Sequence, residues 1–185
     1  MPLAISQALE SDFSNPLGML GDCHRRIARF LEALISVTEQ ARGGGLNDEQ
    51  REALEKALTY FHDAAPKHTA DEEDSLFPRV RARTAGSGKR SALLTLLHAD
   101  HLAVVERHHA VERLGRTWIR DGLDTEDTQH LLDLLYWLRK TYQEHIEIEE
   151  SQLFPFAARV LSKSDLREIG REMAQRREVI PRGIE

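Results

Sequence analysis

Apolar residues recur along this chain at three- and four-residue steps, in four blocks separated by short polar or glycine-bearing breaks. Such a stripe fits one face of a helix with 3.6 residues per turn. The first block carries Leu17, Leu20, Ile27, Leu31, Leu34 and Ile35. Asn15-Pro16 supplies its N-cap and first-turn proline, and Gly43-Gly44-Gly45 stops it. Asn47, with Gln50 at the capping-box position, opens a second block through Leu54, Leu58, Phe61 and Ala65 to His68 and Glu72, with a kink expected at Pro66. A loop near Thr84–Lys89, holding Gly86 and Gly88, leads to the third block: Leu93, Leu94, Leu97, Leu102, Val104, Val105, Val111 and Leu114. Asp121-Gly122 closes it. Asp124 or Thr125 caps the fourth, which carries Leu131, Leu134, Leu135, Leu138, Ile146, Leu153 and Phe156. Ser164 is the expected cap of a short amphipathic helix near Asp165–Arg177. No period-two strand pattern interrupts these blocks.

Four long helices with short connections imply antiparallel neighbours, so the expected fold is all-α, an up-down-up-down four-helix bundle with a short C-terminal helix. The corresponding division is an N-terminal arm (residues 1–14), the bundle (15–161) and a C-terminal helix and tail (162–185).

Composition narrows the class. With 185 residues, 41% hydrophobic and 30% charged, the chain can bury a real core. A net charge of −6 argues against nucleic acid or an anionic membrane as partner. Cys23 is the single cysteine, so neither an internal disulfide nor a thiolate metal cluster can form, and a reducing cytoplasm is the expected setting. No run approaches the ~20 apolar residues of a membrane span.

The chemistry lies in a repeat. His68-Thr-Ala-Asp-Glu72-Glu73-Asp-Ser-Leu76-Phe77-Pro78 returns 77 residues later as His145-Ile-Glu-Ile-Glu149-Glu150-Ser-Gln-Leu153-Phe154-Pro155, and the same shift carries His24 onto His101. Each predicted hairpin thus has a lone histidine on its first helix and His-x-x-x-Glu on its second. Residues i and i+4 lie on one helix face, roughly 6 Å apart along the axis. That face is the apolar one: His24 lies among Leu20, Ile27 and Leu31, and His101 among Leu94, Leu97 and Val105. His68 to His24 and His145 to His101 are equally spaced, which puts all six side chains at one level. A buried carboxylate without a partner is prohibitively costly. Two cations resolve this, each taking two histidines, with the glutamates bridging. Imidazole and carboxylate without thiolate suit iron better than structural zinc; manganese or a mixed centre has compatible ligands.

His24, His68-x-x-x-Glu72, His101 and His145-x-x-x-Glu149, with Glu-Glu-x-x-Leu-Phe-Pro after both pairs, resemble the hemerythrin-like (HHE cation-binding) domain. The resemblance spans roughly Asn15 to Val160. It implies a non-haem di-iron centre, oxo- or hydroxo-bridged, with His24, His68, His101 and His145 as terminal ligands and Glu72 and Glu149 as bridges. It further implies O2, nitric oxide or peroxide as the small partner, in stress response or iron handling. The alternative is an iron or oxygen sensor or store acting through a protein partner without catalysis. Oxygen-carrying members resemble one another in His-x-x-x-His on the third helix and His-x-x-x-x-Asp on the fourth. Here Leu97 stands four residues before His101, and the fourth helix reads His145-x-x-x-Glu149. A ferritin-like oxidase would need duplicated Glu-x-x-His, and the chain has only Glu106-x-x-His109.

Several neighbours invite smaller readings. His98, three residues before His101, is a candidate fifth imidazole. Cys23 and His108 read as core residues near the site, and Tyr60 and Tyr142 as packing phenols able to reach a bound oxygen species. Asp71, Glu73, Glu147 and Glu150 either orient the histidines or solvate the surface. The mixed charge of Arg167–Arg177 reads as a solvated face. Leu76 is placed to plug the bundle beyond the ligands, with Pro78 bending or ending the regular helix there.

Overall fold

A computed structural model describes residues 11–84 and 88–180; Gly86, most of the N-terminal arm and the last five residues lie outside them. Among the described residues there are helices and no strands. Helix α1 (Pro16–Ala41) is capped by the Asn15 side chain, which accepts from the Gly18 N–H, and it ends at Arg42 and Gly43 in left-handed conformations. Helix α2 (Asp48–Asp63) begins with the capping box of Asn47 and Gln50. Pro66 interrupts the second arm at Ala64, after which α3 (Ala65–Ala70) continues with proline in its first turn. A π-helical turn, Asp71–Leu76, and α4 (Phe77–Arg83) complete the arm. Helix α5 (Gly88–Asp121) forms the third arm. The fourth is α6 (Thr125–Ile148), capped by Asp124, then a second π-helical turn, Glu149–Leu153, and α7 (Phe154–Val160). Helix α1 packs on α2 and α6, and α5 packs on the same two, which closes the four-helix bundle.

The bundle core is divided in two. Ile27, Leu31, Leu34, Leu54, Leu58, Val104, Leu135 and Leu138 fill the half toward the α1–α2 and α5–α6 loops. Met19, Leu20, Leu76, Phe77, Leu94, Leu97, Leu153 and Ala157 fill the other. On α1, His24 falls between Leu20 of one half and Ile27 of the other; on α5, His101 falls between Leu97 and Val104. The ligand candidates therefore form a polar layer sandwiched by apolar ones. Two expected core positions on α5 turn outward instead: Leu102 is 63% exposed and Val105 49%. The inward stripe runs through Leu94, Leu97, His101, Val104 and Val111, so the histidine's own i+3 neighbour, not its i+4 neighbour, continues the seam.

The π turns are the local feature that the periodicity concealed. Phe77 N–H bonds to the Glu72 carbonyl, and Phe154 N–H to that of Glu149, each a five-residue step. The proline that follows each phenylalanine explains them. Pro78 and Pro155 have no N–H, and their rings would collide with the carbonyl four residues back in a regular helix. Widening the turn removes the collision and lets the helix run on, so proline neither ends the arm nor only bends it. Single π turns of this kind cluster at functional sites.

Helix α8 (Lys163–Arg176) is capped by Ser162, with Asp165 completing the box, and not by Ser164, which falls inside the first turn. Its Ile169 and Met173 are fully buried in the same core half as Met19, Leu20 and Leu76. The solvated-face reading of its C-terminal residues fails for Arg176 and Arg177. Arg176 Nη1 and Arg177 Nη2 donate to the two oxygens of fully buried Asp71 at 3.0 and 2.6 Å, and Arg176 Nη2 donates to Ser75 Oγ at 2.8 Å.

Candidate metal centre

His24 from α1, His68 from α3, His101 from α5, His145 from α6 and one glutamate from each π turn converge at the polar layer. None of the six is more than 5% exposed. Glu72 meets histidines of both hairpins: His24 Nε2 at 3.7 Å, His68 Nε2 at 3.5 Å and His101 Nε2 at 3.2 Å. Glu149 does the same, with His24 Nε2 at 3.1 Å and His145 Nε2 at 3.4 Å. The imidazoles pair within hairpins, His24 with His68 at 5.0 Å between ring centroids and His101 with His145 at 4.7 Å. Two overlapping groups of donor atoms result, one of Glu72, His101, His145 and Glu149, the other of His24, His68 and Glu72.

These short approaches do not amount to hydrogen bonding. Both oxygens of Glu72, both of Glu149, and Nε2 of His24 and His145 are buried with no hydrogen-bond partner. Orphaned polar atoms of this kind are rare, and here they point at one another. Without a cation, protons must balance the carboxylates. Burial disfavours a charge on His24, but Glu149 and Glu72 outweigh it and hold the imidazole pKa well above its ordinary value. His101, likewise buried, is raised to about 9 by Glu72 and Glu73. Burial instead carries His68 down to about 4, against the pull of Glu72. Burial works against ionised Glu72 too, yet His68, His101 and His24 drive its pKa well below the usual carboxylate range.

The far side is held on three of the four rings, and for His24 and His101 it is held across the bundle. Glu150 of the second hairpin accepts from Nδ1 of His24 at 2.9 Å, and Glu73 of the first accepts from Nδ1 of His101 at 2.6 Å. The apolar faces follow suit: Phe154 stacks on His24 and Phe77 on His101, at 5.4 and 5.8 Å between centroids. The glutamates, leucine and phenylalanine of Glu-Glu-x-x-Leu-Phe-Pro thus each have a task. The first glutamate faces the centre, the second holds a histidine of the other hairpin, the leucine seals the core and the phenylalanine stacks on that same histidine. Asp100 holds Nδ1 of His145 at 3.3 Å, a contact the sequence reading missed although Asp100 adjoins His101. Glu147 is exposed and takes no part, and Asp71 turns to the arginines of α8.

Other candidates fall outside the cluster. His98 is half-exposed and contacts Glu73 Oε1 at 3.0 Å, so it does not join the six. Tyr142 Oη pairs with His108 Nε2 at 2.9 Å, and Tyr60 donates to the Cys23 carbonyl at 3.4 Å; both phenols are engaged outside the cluster.

Residues 15–176 match the Hemerythrin HHE cation binding domain, a span that takes in all four arms and α8. The chain belongs to that family. A relative from Haemophilus influenzae, named "Uncharacterized protein", is 29% identical over 167 residues, covering 90% of this chain and 92% of its own. The hemerythrin-type fold and its cation-binding character agree with a buried histidine and carboxylate cluster whose facing polar atoms are unpaired. No helix among the described residues is long and apolar enough to cross a membrane.

Proposed function

We propose that this hemerythrin-family chain holds two iron ions, with His24 and His68 on one, His101 and His145 on the other, and Glu72 and Glu149 bridging. The observation that carries this reading is the set of unpaired Nε2 and carboxylate oxygen atoms at the centre. Two dications satisfy all of them, and the imidazole and carboxylate set matches iron. When bound, the metals supply open coordination positions for a small ligand. The protein holds the rings of His101, His24 and His145 through Glu73, Glu150 and Asp100, keeps bulk water out with Leu76 and Leu153, and places Glu72 and Glu149 between the two histidine pairs. The ligand is O2, nitric oxide or peroxide, and the setting is a cytoplasmic response to oxygen or nitrosative stress, or iron handling. Metal analysis after iron-replete expression, with optical spectra before and after nitric oxide, azide and peroxide, tests it. About two irons per chain and ligand-dependent spectra are expected on the di-metal bundle logic; less than about one iron per chain sinks it.

A second reading, a sensor that works through a protein partner without turnover, draws on α5. Leu102, adjacent to His101, and Val105 present apolar surface beside the centre. Under this reading Leu102→Ser abolishes capture of the partner and leaves metal content unchanged; preserved capture removes it.

A further inference from the structure

The repeat makes the two halves of the centre comparable residue by residue, and one half lacks an outer carboxylate that the other has. His24 and His101 are treated alike, through Glu150 and Glu73. His68 and His145 are not. Asp100 holds Nδ1 of His145, but 77 residues before Asp100 stands Cys23, a buried thiol with no carboxylate to offer. Nδ1 of His68 is correspondingly buried without any partner. A carboxylate on the outer nitrogen fixes the tautomer and makes the imidazole a stronger donor. Both histidines of the second hairpin have one, and only one of the two in the first does.

Charge and donor count point the same way. Beside Cys23, Arg26 Nη2 is 3.8 Å from the sulfur, and the Arg177 guanidinium, which also pairs with buried Asp71, adds a second cation nearby. Around His101 and His145 the neighbours include the carboxylates of Glu73 and Asp100. The donor group at His101 and His145 gathers four residues, and that at His24 and His68 gathers three.

We propose that the two cation positions are unequal: the His101–His145 position fills first and retains its ion, and the His24–His68 position fills last and exchanges it. This rests on the two-metal reading above, and it assigns Asp100 and Cys23 as the positioning residues that set the difference.

The test is titration of the metal-stripped full chain with cobalt(II), whose visible absorption reports each ion, against a competing chelator. Two steps are expected, separated by roughly 10–100-fold in affinity, the usual effect of losing an outer partner of a ligand histidine. His68→Ala should abolish the weak step and spare the tight one, and His145→Ala the reverse. Cys23→Asp, which restores the repeat, should tighten the weak step, and Asp100→Asn should loosen the tight one. Two equal steps, or loss of the tight step in His68→Ala, overturn the proposal while leaving two metals in place. Binding of one cobalt or none by the folded, unaltered chain overturns the two-metal reading and this proposal with it. Should Cys23→Asp lose its helical circular dichroism, partly exposed Asp100 carries the test, and an unchanged tight step in Asp100→Asn is decisive against the idea.

Discussion

Glu73, on the first hairpin, accepts a 2.6 Å hydrogen bond from the outer nitrogen of His101 on the second. Its repeat mate Glu150 returns the contact to His24, so each hairpin holds the other's lone histidine. Glu73→Gln keeps the shape but removes the charge that strengthens this bond. Metal affinity should fall roughly 10–100-fold, measured by chelator competition. The same change at Glu150, which is 47% exposed and makes a longer bond, should cost less. Equal losses would argue against burial as the source of the difference.

The prolines of the repeat predict a separation of metal binding from helicity. Pro78→Ala and Pro155→Ala restore a backbone donor and remove the ring that forces each π turn. An ordinary α turn then becomes available, and it rotates Glu72 or Glu149 relative to the histidine one turn before. The metal-stripped double variant should be at least as stable to heat as the parent, yet hold less metal. Full metal content in the variant would show that the π turns are held by packing of Leu76 and Leu153 instead.

The six converging residues were legible in the sequence because they are duplicated at equal spacing on apolar stripes. The second carboxylates were visible as neighbours, but their partners were not: whether Glu73 meets His68 or His101 depends on how two hairpins face each other, and helical periodicity carries no such information. The π turns were written in Pro78 and Pro155, yet a proline in a helical pattern reads equally as a bend or a stop. Helix α8 itself follows from its pattern, but the role of the arginines at its end does not, for a related reason. Arg176 and Arg177 look solvated until Asp71, some hundred residues earlier in the chain, is known to be buried.

That clamp makes its own prediction. Burial pushes Asp71 upward from the ordinary carboxylate range, and Arg177 and Arg176 oppose the shift. Removing both arginines (Arg176→Ala with Arg177→Ala) leaves a buried acid without its partners, and breaking a buried pair from one side costs about 3–5 kcal/mol. Urea unfolding of the metal-stripped chain should show a loss of that order. Adding Asp71→Asn should recover most of it, because the uncompensated charge goes too. A triple variant as weak as the double would place the loss in the packing of α8 instead.

His108 gives acid sensitivity with a definite sign. Burial, with the charge of His109, lowers its pKa to about 4. It lies against Phe61, 4.7 Å between ring centroids, with Nε2 on the Tyr142 hydroxyl and Nδ1 buried and unpartnered. The folded state therefore prefers neutral His108, whereas the unfolded chain takes up the proton near the ordinary value of about 6.5. The associated stability is complete above that value and is lost as pH falls toward 4. At about 1.4 kcal/mol per unit, the loss between pH 7 and 4 reaches about 3 kcal/mol. His108→Leu combined with Tyr142→Phe removes both polar partners together and avoids stranding the phenol. Compared by urea unfolding of metal-stripped protein, the parent should lose more stability than the double variant over that range. Parallel curves would mean that His108 accepts its proton without leaving the folded state.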